Sequence, residues 1–171
     1  KRAMEVEPNL KVTLPILWMK AVLDLKIYPA RYNKSQLILF SENTPEIGRI
    51  VENYRIIYVK HDIVFTSKRY PIKYVGFLWN DSELTDAQQI IYRTDFAKNR
   101  IFKTGADFKY YTFKLGKISQ LFDGNKLIIE IIRKEKWFKN PTFDIEADNS
   151  IDELLILFFL YYSTREFGSI G

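Results

Sequence analysis

A chain of 171 residues, 47% of them hydrophobic, is long enough for one domain with a sizeable core and too apolar for a disordered segment. It contains no cysteine, which excludes disulfides, thiolate zinc sites and cysteine nucleophiles, and its one histidine excludes a multi-histidine metal site. The net charge of +5 is uneven, since residues 93–139 hold twelve Lys or Arg against five Asp or Glu, whereas residues 140–171 hold one against six. This asymmetry suggests a polyanion-facing surface, with a set of solvated strand faces as the alternative.

The first half of the chain reads mostly as β-strand. Residues 1–9 resemble an extended arm, and residues 10–171 are predicted to form a single domain. Because residue 1 is not Met, the sequence leaves open whether an upstream segment or an organelle-targeting peptide precedes it. Runs rich in β-branched and aromatic residues predict six strands, with a turn near Lys60-His61: Leu10–Trp18, Val22–Tyr28, Gln36–Phe40, Tyr54–Lys60, Asp62–Ser67 and Tyr70–Trp79.

The segment Asn80–Asn99 departs from this strand pattern. Asp81 or Ser82 can cap a helix, and the apolar positions of the following residues fit one helical face, so a short helix is predicted at Leu84–Tyr92. It would form a helical insertion near residues 82–98. Strand patterns then return, with a hairpin turn at Asp123-Gly124-Asn125; the predicted strands are Arg100–Lys103, Phe108–Leu115, Lys117–Phe122, Leu127–Lys134 and Thr142–Ala147.

The chain closes with an apolar helix. Nine consecutive apolar or aromatic residues run from Leu154 to Tyr162, and a helix that is apolar all round must be enclosed. Its run is shorter than the roughly 20 residues that span a bilayer. Ser150 and Glu153 predict a capping box at its start, and Gly168 predicts its end. We therefore expect a sheet wrapped round one buried C-terminal helix of about 15–17 residues.

The segment Asp107–Phe167 resembles the tubby C-terminal-like superfamily, most closely its LURP-one-related and phospholipid scramblase-like proteins. The resemblance lies in paired strands, an Asp-Gly turn, and the segments Lys126–Lys134, Phe143–Glu146 and Asp152–Leu157. It implies a mainly β (α+β) fold, a closed antiparallel barrel of about twelve strands around a hydrophobic helix. It also implies phosphoinositide binding or lipid scrambling as related functions, although no functional residue of the family can be carried over.

The acidic stretch Asp144–Asp152 lies where scramblases have a calcium-associated segment. It lacks the glycine and glutamate of an EF-hand loop, since Asn149 and Leu155 stand in those positions. Strand exposure and helix capping explain it better, so no metal site and no cofactor are predicted. The cysteine-rich acylation segment of eukaryotic scramblases is also absent.

The richest candidate surface is the basic and aromatic segment Arg133–Lys139. Cations beside aromatic rings suit an anionic membrane surface, and they also suit nucleic acid. The alternative is a polar hairpin whose aromatic residues fold back onto the core. The predicted anionic-surface residues are Arg100, Lys103, Arg133, Lys134, Lys136, Trp137 and Lys139.

No catalytic signature is visible, because His61 is best explained as a surface histidine beside Asp62 and no paired carboxylates or phosphate loop can be identified. The sequence thus predicts a non-enzymatic binding module for anionic lipid, intracellular and peripheral to a membrane. The alternative is a structural or accessory subunit of a larger protein or ribonucleoprotein assembly. Nucleic acid is a less favoured partner, and the oligomeric state is open.

Overall fold

The protein is described by a computed structural model that covers residues 24–41, 45–54 and 59–165, with the backbone alone at Lys136. Within these residues the chain forms β-strands followed by one α-helix. The elements are β1 (Leu25–Asn33), β2 (Gln36–Leu39), β3 (Gly48–Tyr54), β4 (Val59–Phe65), β5 (Lys68–Val75), β6 (Asp81–Asp86), β7 (Gln89–Asp95), β8 (Arg100–Lys103), β9 (Lys109–Lys114), β10 (Ile118–Asp123), β11 (Lys126–Lys136), β12 (Lys139–Asp148) and α1 (Glu153–Thr164), with a 3₁₀ turn at Phe77–Trp79.

The strands form a closed antiparallel barrel in which each strand pairs with its neighbours in the chain. The first and last strands close it, with Leu25 opposite Asp148 and Arg31 opposite Thr142. Closure leaves no unpaired edge among the described strands, so their backbone groups are satisfied within the sheet. The prediction of a closed antiparallel barrel of about twelve strands, followed by a C-terminal helix, is thus confirmed.

Alternating residues of the strands contribute to one hydrophobic core. In β12, for example, Phe143, Ile145 and Ala147 are buried, as the two-residue period of a strand requires. All nine residues from Leu154 to Tyr162 of α1 are buried too, and they belong to the same core cluster as the strand residues. No helix in the described part of the chain is both long and apolar enough to cross a membrane.

The predicted helix at Leu84–Tyr92, and with it the helical insertion near residues 82–98, is wrong. This segment is the hairpin of β6 and β7, in which Leu84 lies opposite Tyr92 and both are buried. The turn residues Ala87 and Gln88 have φ of 44° and 73°, the positive values that a two-residue hairpin turn of type I′ requires. Neither residue favours that conformation locally, so tertiary packing overrides the apolar spacing that favoured a helix.

Helix α1 begins two residues later than the capping box predicted. The N-cap is Asp152, whose carboxylate accepts a hydrogen bond from the Leu154 amide at 2.9 Å. The Ser150 hydroxyl instead donates to the Asp148 carboxylate at 2.7 Å. The helix has 12 residues rather than 15–17, and the chain is already extended at Arg165.

Other predictions differ in their bounds. Strand β4 passes through Lys60-His61, where a turn was predicted, and β5 ends at Val75 before the 3₁₀ turn. Tyr54 ends β3 and Val59 begins β4, so the predicted strand Tyr54–Lys60 does not exist as one element. The predicted arm 1–9, the strand Leu10–Trp18, and Gly168 lie outside the described residues.

Candidate binding site at one end of the barrel

Consecutive antiparallel strands place their connections alternately at two ends of the barrel. At one end, β12 leads into α1; we call it the Asp152 end. At the other, α1 finishes and the Arg165 guanidinium donates to the Trp79 carbonyl oxygen at 2.7 Å and to the Asn80 carbonyl oxygen at 3.3 Å. This is the Arg165 end, and it holds the connections β1–β2, β5–β6, β7–β8, β9–β10 and β11–β12 among those described.

The connections at the two ends carry opposite charge. Outside the strands, every charged residue described at the Arg165 end is basic: Lys34, Lys98, Lys117 and Arg165. Outside the strands and α1, every charged residue described at the Asp152 end is acidic: Asp24, Glu46, Asp107 and Asp152. The connections at the two ends therefore differ in the sign of their charge, whereas the strand ends carry both signs at each end.

Large apolar side chains project from the Arg165 end at two places. Trp137, in the β11–β12 turn, is 90% exposed, and Phe138 beside it is fully exposed. Phe77 and Trp79 project from the β5–β6 connection. These two connections are six strands apart in a ring of twelve, so they lie on opposite sides of the end, roughly 25 Å apart for strands about 4.8 Å apart and tilted.

The structure brings together part of the predicted anionic-surface set. Arg133, Lys134, Trp137 and Lys139 belong to the β11–β12 hairpin, as does the backbone of Lys136. The alternative in which the aromatic residues of this hairpin fold back onto the core is wrong, since both are exposed. Two of the cations are engaged in ion pairs: Arg133 Nε lies 2.6 Å from Glu135 Oε1, and Lys134 pairs with Asp144.

The remaining two predicted residues belong to β8, which β9 and β10 separate from the hairpin. Arg100 begins β8 at the Arg165 end, and its guanidinium lies 4.6 Å from the centre of the Tyr110 ring. Lys103 ends the same strand at the Asp152 end, opposite Lys109. Of the two, Arg100 alone shares an end with the hairpin turn.

A cavity of about 410 Å³ opens at the Arg165 end beside the last turn of α1. Its walls come from β1 to β5, the β5–β6 connection and the helix, so it is assembled from elements far apart in sequence. The residues that line it are Tyr32, Ser35, Leu37, Ile50, Glu52, His61, Tyr74, Leu78, Trp79, Asn80, Tyr161, Thr164 and Arg165.

His61 stands in the wall of this cavity, so the interpretation of it as a surface histidine is wrong. Its side chain is 19% exposed, its Nδ1 lies 2.7 Å from the Tyr74 hydroxyl, and its Nε2 lies 3.8 Å from Glu52 Oε1. Burial lowers the pKa of His61, and Arg165 adds to the effect, although Glu52 and Asp62 oppose it. The imidazole is therefore neutral at neutral pH and contributes polarity rather than charge.

Of the two tyrosines near the end of the helix, Tyr161 lines the cavity and Tyr162 does not. The Tyr161 ring lies 5.2 Å from the His61 ring, and its hydroxyl is buried without a well-formed hydrogen bond in the described part of the chain, although the Tyr74 and Ser82 hydroxyls are nearby. Burial raises its pKa far above the ordinary value. The Tyr162 hydroxyl donates to the Asn80 carbonyl at 2.8 Å, and burial raises the pKa of Tyr162 to about 12. Neither tyrosine ionises near neutral pH.

No sequence pattern predicts most of this cavity, because its residues occupy single inward or terminal positions of separate elements. His61 stands out only by being the one histidine. Across the described residues, no group of three or more His, Cys, Asp or Glu side chains is arranged to hold a metal ion. Comparison with known proteins finds no matching family model, no matching curated protein and no matching solved structure.

Proposed function

We propose that the protein is a non-enzymatic binding module whose Arg165 end engages an anionic membrane surface. The observation that carries the proposal is the exposure of Trp137 and Phe138 at the tip of a basic hairpin. Aromatic rings are favoured at headgroup depth, and a cation near an anionic surface contributes about 1 kcal/mol. The transfer of a hairpin tip with both features from water to that surface is therefore favourable.

The arrangement of the end supports a flat partner. The second apolar projection, at Phe77 and Trp79, lies across the ring from the hairpin tip, so both can touch one plane at the same time. Lys34, Lys98 and Lys117, the charged residues of the described connections between them, are all cations. A linear polyanion in a groove would leave at least one of the two projections in water.

We further propose that α1 fills the interior of the barrel, as in the tubby C-terminal-like superfamily, of whose LURP-one-related and scramblase-like members the chain would be a relative. Contacts of the helix with widely separated strands support this. The Phe158 ring stacks on Tyr92 of β7 at 5.9 Å, and the Tyr162 ring meets Phe113 of β9 at 5.4 Å. On the other side, a Cβ added at Gly48 of β3 would lie 2.7 Å from Leu157 Cδ1.

Vesicle flotation tests the membrane proposal. We expect the protein to float with phosphatidylcholine vesicles that contain phosphatidylserine and to remain unbound without it. The double variant Trp137→Ser/Phe138→Ser should lower the affinity by roughly tenfold or more, because two exposed rings lose their favourable transfer to the interface. The matched control is Phe108→Ser, which removes a ring that is 66% exposed at the Asp152 end.

Equal and negligible flotation with both vesicle types would contradict the proposal. In that case the apolar projections would favour the alternative, a subunit of a larger assembly, because exposed aromatic residues also serve as protein-binding anchors. If the Phe108→Ser control lost as much binding as the double variant, the membrane contact would not belong to the Arg165 end.

A further inference from the structure

The walls of the cavity at the Arg165 end are mainly aromatic. The rings of Tyr32, His61, Tyr74, Trp79 and Tyr161 line it. The His61 ring centre lies 5.2 Å from that of Tyr161 and 6.1 Å from that of Tyr74, so these three rings form one continuous wall. Aromatic faces carry negative charge density and attract organic cations.

The polar group of the cavity that can still form a hydrogen bond is an acceptor, the Glu52 carboxylate. Glu52 is 31% exposed, and its Oε2 accepts a hydrogen bond from the Tyr54 hydroxyl at 2.6 Å. Its Oε1 has no described donor closer than His61 Nε2, at 3.8 Å, which is beyond hydrogen-bond distance. This half-buried carboxylate oxygen can take a cationic donor without losing an existing bond.

The cation of the cavity is already committed to the protein. The Arg165 guanidinium donates to the carbonyl oxygens of Trp79 and Asn80 and, at 2.7 Å, to the Ser82 hydroxyl oxygen. An anionic ligand would have to compete with these bonds. The neutral His61 offers no further positive charge.

Tyr161 contributes its ring to the cavity rather than its hydroxyl. The residue is 2% exposed and lines the cavity, but its hydroxyl oxygen is fully buried, with the Tyr74 and Ser82 hydroxyls nearby. A ligand in the cavity would therefore meet the ring of Tyr161 and not its hydroxyl.

We propose that this cavity binds a small organic ammonium ligand, with the cationic head between Glu52 and the aromatic wall. A volume of about 410 Å³ lies within the range of small-molecule sites and is ample for a choline-sized group. An ammonium group would approach Glu52 Oε1 and face the other rings of the wall, because the Arg165 guanidinium already lies 4.8 Å from the centre of the Tyr74 ring. The inference does not depend on membrane binding, since it concerns a cavity and not the exposed surface.

The single histidine makes the test direct. NMR signals of the His61 ring report on the cavity wall without ambiguity, because no other histidine is present. Titration with choline should shift these signals saturably and lower the His61 pKa further, since a bound cation disfavours the imidazolium. The uncharged carbon isostere, in which a tert-butyl group replaces trimethylammonium, should bind about tenfold more weakly.

Two pairs of variants separate the cavity from its surroundings. Glu52→Gln should weaken choline binding about tenfold, whereas Glu46→Gln, a carboxylate of similar exposure at the Asp152 end, should leave it unchanged. Trp79→Leu should weaken it severalfold, and Trp137→Leu, which removes an exposed ring outside the cavity, should not. The Trp79 pair keeps the test decisive if Glu52→Gln fails to fold.

Three results would overturn the proposal. They are the absence of saturable choline binding, equal binding of the uncharged isostere, and tighter saturable binding of inorganic phosphate. A comparison of soluble phosphocholine with phosphatidylcholine vesicles then distinguishes a free ligand from a lipid headgroup. Failure of vesicle binding with intact choline binding would remove the membrane proposal and leave this one standing.

Discussion

The two ends of the barrel are built from the same strands, and yet they differ in the charged and apolar residues of their connections. At the Asp152 end, lysines at strand ends are paired with carboxylates: Lys68 with Asp86, Lys109 with Asp123, and Lys126 with Asp148. The Arg165 end has such pairs too, Lys98 with Asp95 and Arg133 with Glu135, but its connections add exposed aromatic residues and further lysines. The difference therefore lies in the connections, where the Arg165 end presents groups that a partner can use.

The helix connects this comparison to the core, since it begins at one end and finishes at the other. Its carboxylate N-cap suits the positive end of the helix dipole, and Arg165 suits the negative end. The opposite charges of the connections at the two ends thus agree with the direction of α1. A change that removes the helix from the core should destroy both ends together.

The largest expected effect is that of Leu154→Asp. Leu154 is buried in the core shared by strands and helix, so the variant would bury an unpaired charge and should cost several kcal/mol, enough to unfold the domain. Ile118→Asp is the control, because Ile118 is half-exposed on β10. Circular dichroism and thermal unfolding measure both. A cooperatively folded Leu154→Asp protein would show that the helix is dispensable for the core.

Next in size is Gly48→Ala, which tests the packing of the helix against β3 near the Asp152 end. The added Cβ would lie 2.7 Å from Leu157 Cδ1 and 2.8 Å from the Val64 carbonyl oxygen, and the backbone atom cannot easily move away. We expect a loss of about 1–3 kcal/mol in the free energy of unfolding, measured with denaturant.

Gly116→Ala supplies the control for that prediction at the Arg165 end. A Cβ there would meet the Ile118 carbonyl oxygen at 3.7 Å, an ordinary contact, so stability should change little. Equal losses for the two alanine variants would mean that the tight approach at Gly48 does not limit packing.

A smaller, pH-dependent effect is expected at Asp148, which pairs with Lys126 and accepts bonds from the Ser150 hydroxyl and amide at the Asp152 end. Hydrogen bonds from Lys126 and then Ser150 lower the pKa of Asp148 well below its usual range. Because the folded pKa lies below the unfolded value of about 4, this stabilisation is complete above that pH and is lost as pH falls below it.

Asp148→Asn should therefore be less stable than the wild type at neutral pH, with the difference shrinking as pH falls below about 4. Denaturant titrations at a series of pH values measure this. Asp123→Asn, which removes an exposed ion pair at the same end, should change stability by less than about 1 kcal/mol. A difference between Asp148→Asn and wild type that stayed constant with pH would show that the carboxylate is not the stabilising group.

Sequence reasoning reached the barrel and the hairpin tip because both depend on local patterns. The alternation in Thr142–Ala147 and the apolar run Leu154–Tyr162 require a two-sided sheet and an enclosed helix wherever they lie. The basic and aromatic composition of Arg133–Lys139 likewise predicts a surface segment. The β6–β7 hairpin was not predicted, because its turn, Ala87-Gln88, adopts positive φ without the Asn or Gly that usually identifies a type I′ turn in a sequence.

The cavity could not be predicted for a different reason. Glu52, His61, Tyr74 and Tyr161 come from three strands and the helix, and they meet only because the barrel closes and α1 ends beside them. The spacing of these four residues along the chain therefore does not predict that they lie together. Similarly, Arg100 and Lys103 are neighbours in sequence, but a four-residue strand places them towards opposite ends.

The smallest effect on stability, and the sharpest test of the charge difference between the ends, is expected for Lys117→Glu. Lys117 lies in the exposed β9–β10 connection at the Arg165 end, so unfolding should change by less than about 0.5 kcal/mol. Affinity for phosphatidylserine vesicles should nevertheless fall by about 1–2 kcal/mol, as one attraction is replaced by a repulsion, and the loss should shrink at high salt. Lys103→Glu at the Asp152 end makes the same charge change and should leave vesicle affinity nearly unaltered. Equal losses from the two reversals would mean that net charge alone governs binding, and that the two ends do not differ in the way their residues indicate.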